Sequence, residues 1–225
     1  MFIDTHMHCI EGSDDSFIKI SEIVKRAKTM GLNGICITDH DNNKVKEYAV
    51  QYGKKHDFKI FVGAEILTHE GDILVFGLDD IPTEKLYAQE LIDLVNSKGG
   101  VTIAAHPFRE NNRGCGKHLK NLKGLTAIET FNGSTKSYNN LNAFESAIEL
   151  NLATTAASDC HTSDAIGKYC TKFLDDIETE KDLIDAIKSR RVRPAVYRDG
   201  EYIKIDNYEK YGEIFPEDSA YGRVV

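Results

Sequence analysis

The feature that most constrains this chain is an alternation. Short apolar, β-branched runs recur along it, and most of the intervals between them carry the apolar spacing of a helix. The runs are FID at 2–4, GICIT at 34–38, KIFVG at 59–63, DILVFGL at 72–78, VTIAA at 101–105, LTAIETF at 125–131 and LATTAAS at 152–158. Each reads as a buried strand. Helices are expected over 16–30, where Ile20, Ile23, Val24 and Ala27 share one face before Gly31, and over 84–98, where Leu91, Ile92 and Val95 do so before Gly99-Gly100. Two more are expected over 139–150 and 180–190. Strands alternating with helices imply parallel pairing through right-handed crossovers. Seven strand candidates in 225 residues suit a closed or nearly closed α/β barrel better than an open sheet. From Asp199 the chain turns polar, charged and tyrosine-rich. The expected organisation is therefore a barrel domain over 1–198 with a C-terminal appendage over 199–225.

Residues that bind metals sit just past these strand candidates. FID runs into Thr5-His6-Met7-His8, GICIT into Asp39-His40-Asp41, and KIFVG into Ala64-Glu65. VTIAA runs into His106-Pro107, LTAIETF carries Glu129 and is followed by Asn132, and LATTAAS runs into Asp159-Cys160-His161. In alternating α/β barrels the strand C-termini converge on one rim, where active sites lie. Residues i and i+2 of an extended segment point the same way, so Asp4, His6 and His8 can share a direction, as can Asp159 and His161. Asp4 has a second reading, as a group that orients a ligand histidine. Five of the eight histidines lie at strand ends beside carboxylates, which is hard to ascribe to chance. Imidazoles with carboxylates suit Zn, Mn or Fe. His56 and His118 fall in polar, lysine-rich stretches and read as solvated, and His69 falls on an expected loop.

Composition narrows the class. A formal net charge of −8 and an isoelectric point near 5.5 argue against a protein that coats long nucleic acid or an anionic membrane. They leave open a nucleotide substrate, since bound metal ions can reverse the local potential. The N-terminus has no basic and apolar leader, and no apolar run reaches the ~18 residues of a membrane span. Five scattered cysteines without a CxxC pair fit reduced thiols. A cytoplasmic globular protein is expected.

The ordered set Asp4-Thr5-His6-Met7-His8, Thr38-Asp39-His40, Gly63-Ala64-Glu65, Ala105-His106-Pro107 and Ser158-Asp159-Cys160-His161, with AIETFNG at 127–133, resembles the PHP (polymerase and histidinol phosphatase) superfamily from residue 2 to about 195. The resemblance implies a distorted, TIM-like (β/α)7 barrel with two or three divalent ions at the C-terminal ends of its strands. It implies that His6, His8 and Asp159 hold one ion, that Glu65 bridges it to a second also held by His106, and that His40 and His161 hold a third with Asp39 in or near its shell. A further ligand some eight or nine residues after the first histidine fits Asp14 counted from His6 and Asp15 counted back from His40, with Asp15 slightly favoured. Where several relatives place a histidine ligand, this chain has Gly71-Asp72, so Asp72 stands as a carboxylate ligand or that ion is held more weakly.

The expected activity is hydrolysis of a small-molecule phosphate ester by a hydroxide that bridges two ions, with Glu65, Asp159 and His161 as catalytic candidates. Arg109 and Arg113, in the loop after His106, are candidate phosphate clamps because a guanidinium matches phosphate bidentately. Arg190, Arg191 and Arg193 have the plainer reading of cations at a helix C-terminus. The competing readings are a short-oligonucleotide exonuclease or nucleoside bisphosphatase, an amidohydrolase-like C–N hydrolase, and a non-catalytic metal-binding module. The loops 109–124, 132–140 and 162–170 set the substrate, and they carry no legible code.

Overall fold

A computed structural model of the chain describes residues 1–215, except for the side chain of Tyr208. Residues 216–225, the end of the expected appendage, lie outside the described residues. The first half contains β1 (Phe2–Met7), α1 (Ile20–Thr29), β2 (Gly34–Ile37), α2 (Lys46–Lys55), β3 (Lys59–Val62), β4 (Ala64–Leu67), β5 (Asp72–Phe76), α3 (Ala88–Ser97) and β6 (Val101–Ala104). A short 3-10 helix (Gly116–Asn121) precedes β7 (Ala127–Asn132), α4 (Ser137–Glu149), β8 (Ala153–Ala157) and β9 (Tyr169–Phe173). The chain continues through α5 (Glu180–Lys188), β10 (Val192–Arg198), β11 (Glu201–Lys204) and α6 (Tyr208–Ile214).

The strands form two sheets, ordered β11-β10-β9-β1-β2-β3 and β4-β5-β6-β7-β8. Parallel pairing, expected throughout, holds for β1–β2, β2–β3, β6–β7 and β7–β8. The pairs β4–β5, β5–β6, β1–β9, β9–β10 and β10–β11 are antiparallel. The reason is local at β4, which follows β3 after Gly63 alone and turns back into β5 through residues 68–71, too short for a crossover.

The helices that were legible carry a strong apolar stripe. In α1 the buried residues are Ile20, Ile23, Val24 and Ala27, the i, i+3, i+4, i+7 set that faces a core. Each fully buried aliphatic side chain there contributes roughly 1.5–3 kcal/mol. In α2 the buried residues are Ala49 and Gly53, too small a signal to mark a helix in advance. Between the sheets, Ile3, Cys36 and Phe61 of the first meet Leu74, Phe76 and Ile103 of the second in one buried cluster. Phe131 of β7 gathers Phe144, Tyr169, Tyr211 and Ile214, so α6 packs on the body of the fold. No helix among the described residues is long and apolar enough to cross a membrane.

The sheets also meet through isolated bridges at one end. Met7 bridges Cys160 and His40 bridges Glu65, both in parallel sense. Backbone bonds reinforce them, from the amide of Asp159 to the carbonyl of His6 (2.8 Å) and from that of Asp41 to the carbonyl of Glu65 (2.9 Å). The same end therefore collects the segments after β1, β2, β6 and β8 with the start of β4, and that is where the ligand-type residues fall.

Candidate metal centre

β1 delivers His6, and the next residues deliver His8, with both side chains fully buried. Their Nε2 atoms lie 3.1 Å apart. Glu65 Oε2 is 3.5 Å from Nε2 of His6 and 3.4 Å from that of His8. Asp159 Oδ1 stands at the same two distances, 3.5 and 3.4 Å. Donors at ~2.0–2.1 Å from a tetrahedral ion sit about 3.3–3.4 Å from one another, so these separations fit a divalent cation. Among the described residues, four overlapping triads have all their donor atoms within 4.8 Å: His6–His8–Glu65, His6–His106–Asp159, Glu65–Asp72–His106 and His8–His40–His161.

Backbone conformation aims several of these groups. Asp159 (φ 50°) and His106 (φ 27°) take left-handed conformations at strand ends, which a side-chain-bearing residue adopts at a cost and which cluster at functional sites. The amide of His106 donates to Glu129 Oε2 (2.8 Å), and its Nε2 faces Glu65 Oε1 at 2.8 Å. Asp72 reaches the same rim from the first position of β5, because that strand runs antiparallel to β4 and β6. His40 places Nδ1 2.9 Å from Glu65 Oε2 and Nε2 3.1 Å from Asp15, and Asp15 also lies 3.4 Å from His161 Nε2. The ring of His8 stacks on those of His40 and His161, with centroids 4.3 Å away in each case.

Charge is balanced inside the cluster. Burial opposes ionisation of Glu65, but His6, His106 and His40 around it hold its carboxyl well below the usual range. Asp159 is likewise held low against its burial, by His6 and His8. His6 is raised well above its ordinary value, because Asp159, Glu129 and Glu65 outweigh the cost of burying a cation. In His8 desolvation prevails and lowers the pKa, which favours the neutral imidazole that a metal requires. Burial beside Glu65 pushes Asp72 up to about 6.

Other expected residues take different places. Asp39 turns to the loop after His8, where the amide of Cys9 (2.9 Å), the Cys9 thiol (3.1 Å) and the Ser13 hydroxyl (2.9 Å) donate to it. Gly12 packs on this carboxylate so closely that a Cβ would stand 1.9 Å from Oδ2. Asp39 therefore braces the 9–13 loop, and it belongs to none of the four donor triads. Asp14 is exposed and belongs to none of the triads, whereas Asp15 reaches two imidazoles. Asp4 does not orient a histidine. Its carboxylate accepts from the amides of Ser158 (2.9 Å) and Gly167 (3.3 Å), and burial raises it to about 7.

Both arginines of the loop after His106 reach the centre. Arg109 contacts Asp159 and donates to Asn132 (2.8 Å) and Thr135, while Arg113 forks onto Asp72 at 2.5 and 3.1 Å. Arg191 pairs with Asp175 instead. His56 stacks on Tyr52 and His69 lies tilted against Tyr87, apart from the triads. Ser13 was not foreseen. It touches Asp39 and the amide of His40, and it stands 3.4 Å from His8 Nδ1, but a lone loop serine gives no signal in sequence.

Glu129 holds Nδ1 of His6 at 2.9 Å and accepts from Asn132 at 2.9 Å. Such partners fix the tautomer of a ligand histidine. Glu129→Gln is expected to lower metal affinity about 10–100-fold, as read by competition with a chelating dye.

Comparison with known proteins agrees with this geometry. Residues 4–111 match the family model described as PHP domain, and residues 137–192 match that described as PHP-associated. An uncharacterized protein of Methanocaldococcus jannaschii is 30% identical over 142 residues, 59% of this chain and 82% of that protein. The PolC-type DNA polymerase III of Latilactobacillus sakei is 34% identical over 79 residues, 35% of this chain and 6% of the polymerase. Among solved structures, PsfC of Pseudomonas syringae superposes with a TM-score of 0.67 at 22% identity, covering 88% of this chain and 92% of PsfC. A Bifidobacterium adolescentis protein provisionally described as a metal-dependent phosphoesterase gives 0.62 at 17% identity, over 72% of this chain and 88% of its own. An amidohydrolase of Chromobacterium violaceum gives 0.63 at 14%, over 82% and 96%. At these identities the structural likenesses establish a shared mixed α/β fold.

Proposed function

Because the chain belongs to the PHP domain family, we propose that it is a metal-dependent phosphoesterase that hydrolyses the phosphate ester of a small molecule. The observation that carries this reading is the convergence of His6, His8, Glu65 and Asp159 at separations of 3.4–3.5 Å across the carboxylate–imidazole pairs. On this reading the two sheets are halves of a distorted (β/α)7 barrel over 1–198, and 199–225 is an appendage to it.

The donor set fits divalent ions of the Zn, Mn or Fe class, with His6, His8, Glu65 and Asp159 holding one and the triads around His106 and around His40–His161 offering further positions. Bound there, such ions would supply Lewis acidity and make water acidic enough to serve as a nucleophile near neutral pH. The chain's own groups do the rest. Glu65 presents one oxygen to His106 and the other to His40, His6 and His8, so it ties the triads into one rigid unit. Glu129 keeps His6 oriented. Arg109, anchored by Asn132 and Thr135, supplies a fixed cation to the phosphate, and Arg113 flanks the opposite side on Asp72. His161, less buried than His6 and His8, is the group placed to hand a proton to the leaving oxygen.

The test of substrate class is phosphate release by Mn-, Zn- or Fe-reconstituted protein across nucleotides, nucleoside bisphosphates, sugar phosphates and histidinol phosphate. Turnover of at least one monoester, with a kcat/KM well above the others, is expected, and turnover confined to amide or amidine substrates would contradict the reading.

A further inference from the structure

Both arginines of the loop touch members of the triads, but Arg109 takes only Oδ2 of Asp159 and leaves Oδ1 facing His6 and His8. The triad Glu65–Asp72–His106 is different, because Arg113 sits on it. Its Nε is 2.5 Å from Asp72 Oδ2 and its Nη2 is 3.1 Å from Oδ1, so both carboxylate oxygens are taken by one guanidinium. The same Nη2 lies 3.2 Å from Nδ1 of His40 and 3.8 Å from Glu65 Oε2.

This placement is fixed by the backbone. The amide of Asp72 donates to the carbonyl of Arg113 at 2.8 Å. Just before it, Gly71 has φ +150°, and a Cβ there would stand 2.6 Å from the nitrogen of Cys115 and 2.7 Å from the oxygen of Arg113. A side chain at 71 would push the two segments apart, so glycine is what lets them meet. The far side of the loop is sewn down as well, by the amide of Gly116 on the carbonyl of Pro107 at 2.7 Å. Arg113 is thus held beside Asp72 by main-chain geometry.

Electrostatics gives the arrangement a purpose. Asp72 is fully buried and close to the charge of Glu65, and a buried carboxylate left without a cation is strongly destabilising. Either a metal ion or an arginine can answer that charge. With Arg113 on both oxygens of Asp72 and 3.8 Å from Glu65 Oε2, a divalent ion entering this triad would meet a fixed like charge.

We propose that Arg113 is the resident cation of the Glu65–Asp72–His106 triad, standing where a divalent ion would otherwise bind, so that ions load only the triads built on His6 and His8. This rests on the metal-dependent reading above and removes one of the positions that the triads offer. The guanidinium also brings a charge that cannot be lost by chelation or deprotonation, next to the position proposed for phosphate.

The test is the metal content of the full chain, stripped by chelation, dialysed against excess Mn, freed of unbound ion and measured by mass spectrometry. Arg113→Met is expected to gain one ion per chain over the wild type, and Asp72→Asn to leave the wild-type count unchanged. The double variant is expected to return to that count. An Arg113→Met protein with no additional ion, or an Asp72→Asn protein with one fewer, overturns the proposal. Should Arg113→Met fail to fold by circular dichroism, Asp72→Asn decides alone. Failure of the enzymatic reading shows separately, as a wild-type protein with its full complement of metal that releases no phosphate.

Discussion

Glu65→Gln is expected to reduce turnover by about 10³-fold or more while the protein remains folded, since Lewis-acid stabilisation of the reacting phosphate is a matter of several kcal/mol. The carboxylate is the single group shared by four imidazoles: His106 at 2.8 Å on one oxygen, and His40, His8 and His6 at 2.9, 3.4 and 3.5 Å on the other. The amide of glutamine has nearly the same shape, so packing survives. It carries no charge, and one of its two faces becomes a donor that repels a cation. Circular dichroism should match the wild type, and steady-state phosphate release should collapse in kcat. A variant within tenfold of wild type would remove Glu65 from the centre of the account.

His8→Ala should have an effect of similar size for a different reason. His8 belongs to two triads, one with His6 and Glu65 and one with His40 and His161, and its ring stacks against each of the last two. Its removal withdraws a donor from both triads and takes away the ring against which two partly exposed imidazoles stack. Loss of bound metal should accompany loss of turnover, so metal content and rate are expected to fall together. A variant that keeps its metal and loses only rate would point to a proton-transfer role for His8 instead. Because His8 lies past the end of β1, at the rim, the thermal transition of the apo protein is expected to remain cooperative.

The histidines and carboxylates at the rim were legible because each follows an apolar run with a period that points it one way. His6, His8, Glu65, His106 and Asp159 needed only that rule and the alternation of elements to be brought together. Asp39 shows its limit. Its position after β2 is as expected, but the direction of its side chain is set by Cys9 and Ser13 in a loop whose shape depends on Gly12, and no period encodes a loop. Asp72 reached the site through an antiparallel pairing that the expectation of parallel strands did not include. The strands β9, β10 and β11 are not legible in the sequence because they are mixed in polarity, and β10 carries Pro194. β9 takes its antiparallel register from tertiary contact with β1 and β10 from β9, whereas β10 and β11 are joined locally by a two-residue turn at Asp199-Gly200. Arg113 was expected only as a clamp for phosphate, and its grip on Asp72 depends on a contact between segments 41 residues apart.

The most direct measurement on the central claim is phosphate release from one preparation in three states: chelated, reconstituted with Mn, Zn or Fe, and chelated again. Release is expected only in the reconstituted state, with a rate that follows the metal bound per chain and disappears when the metal is withdrawn. Undiminished release from chelated protein shown to be free of metal would contradict it.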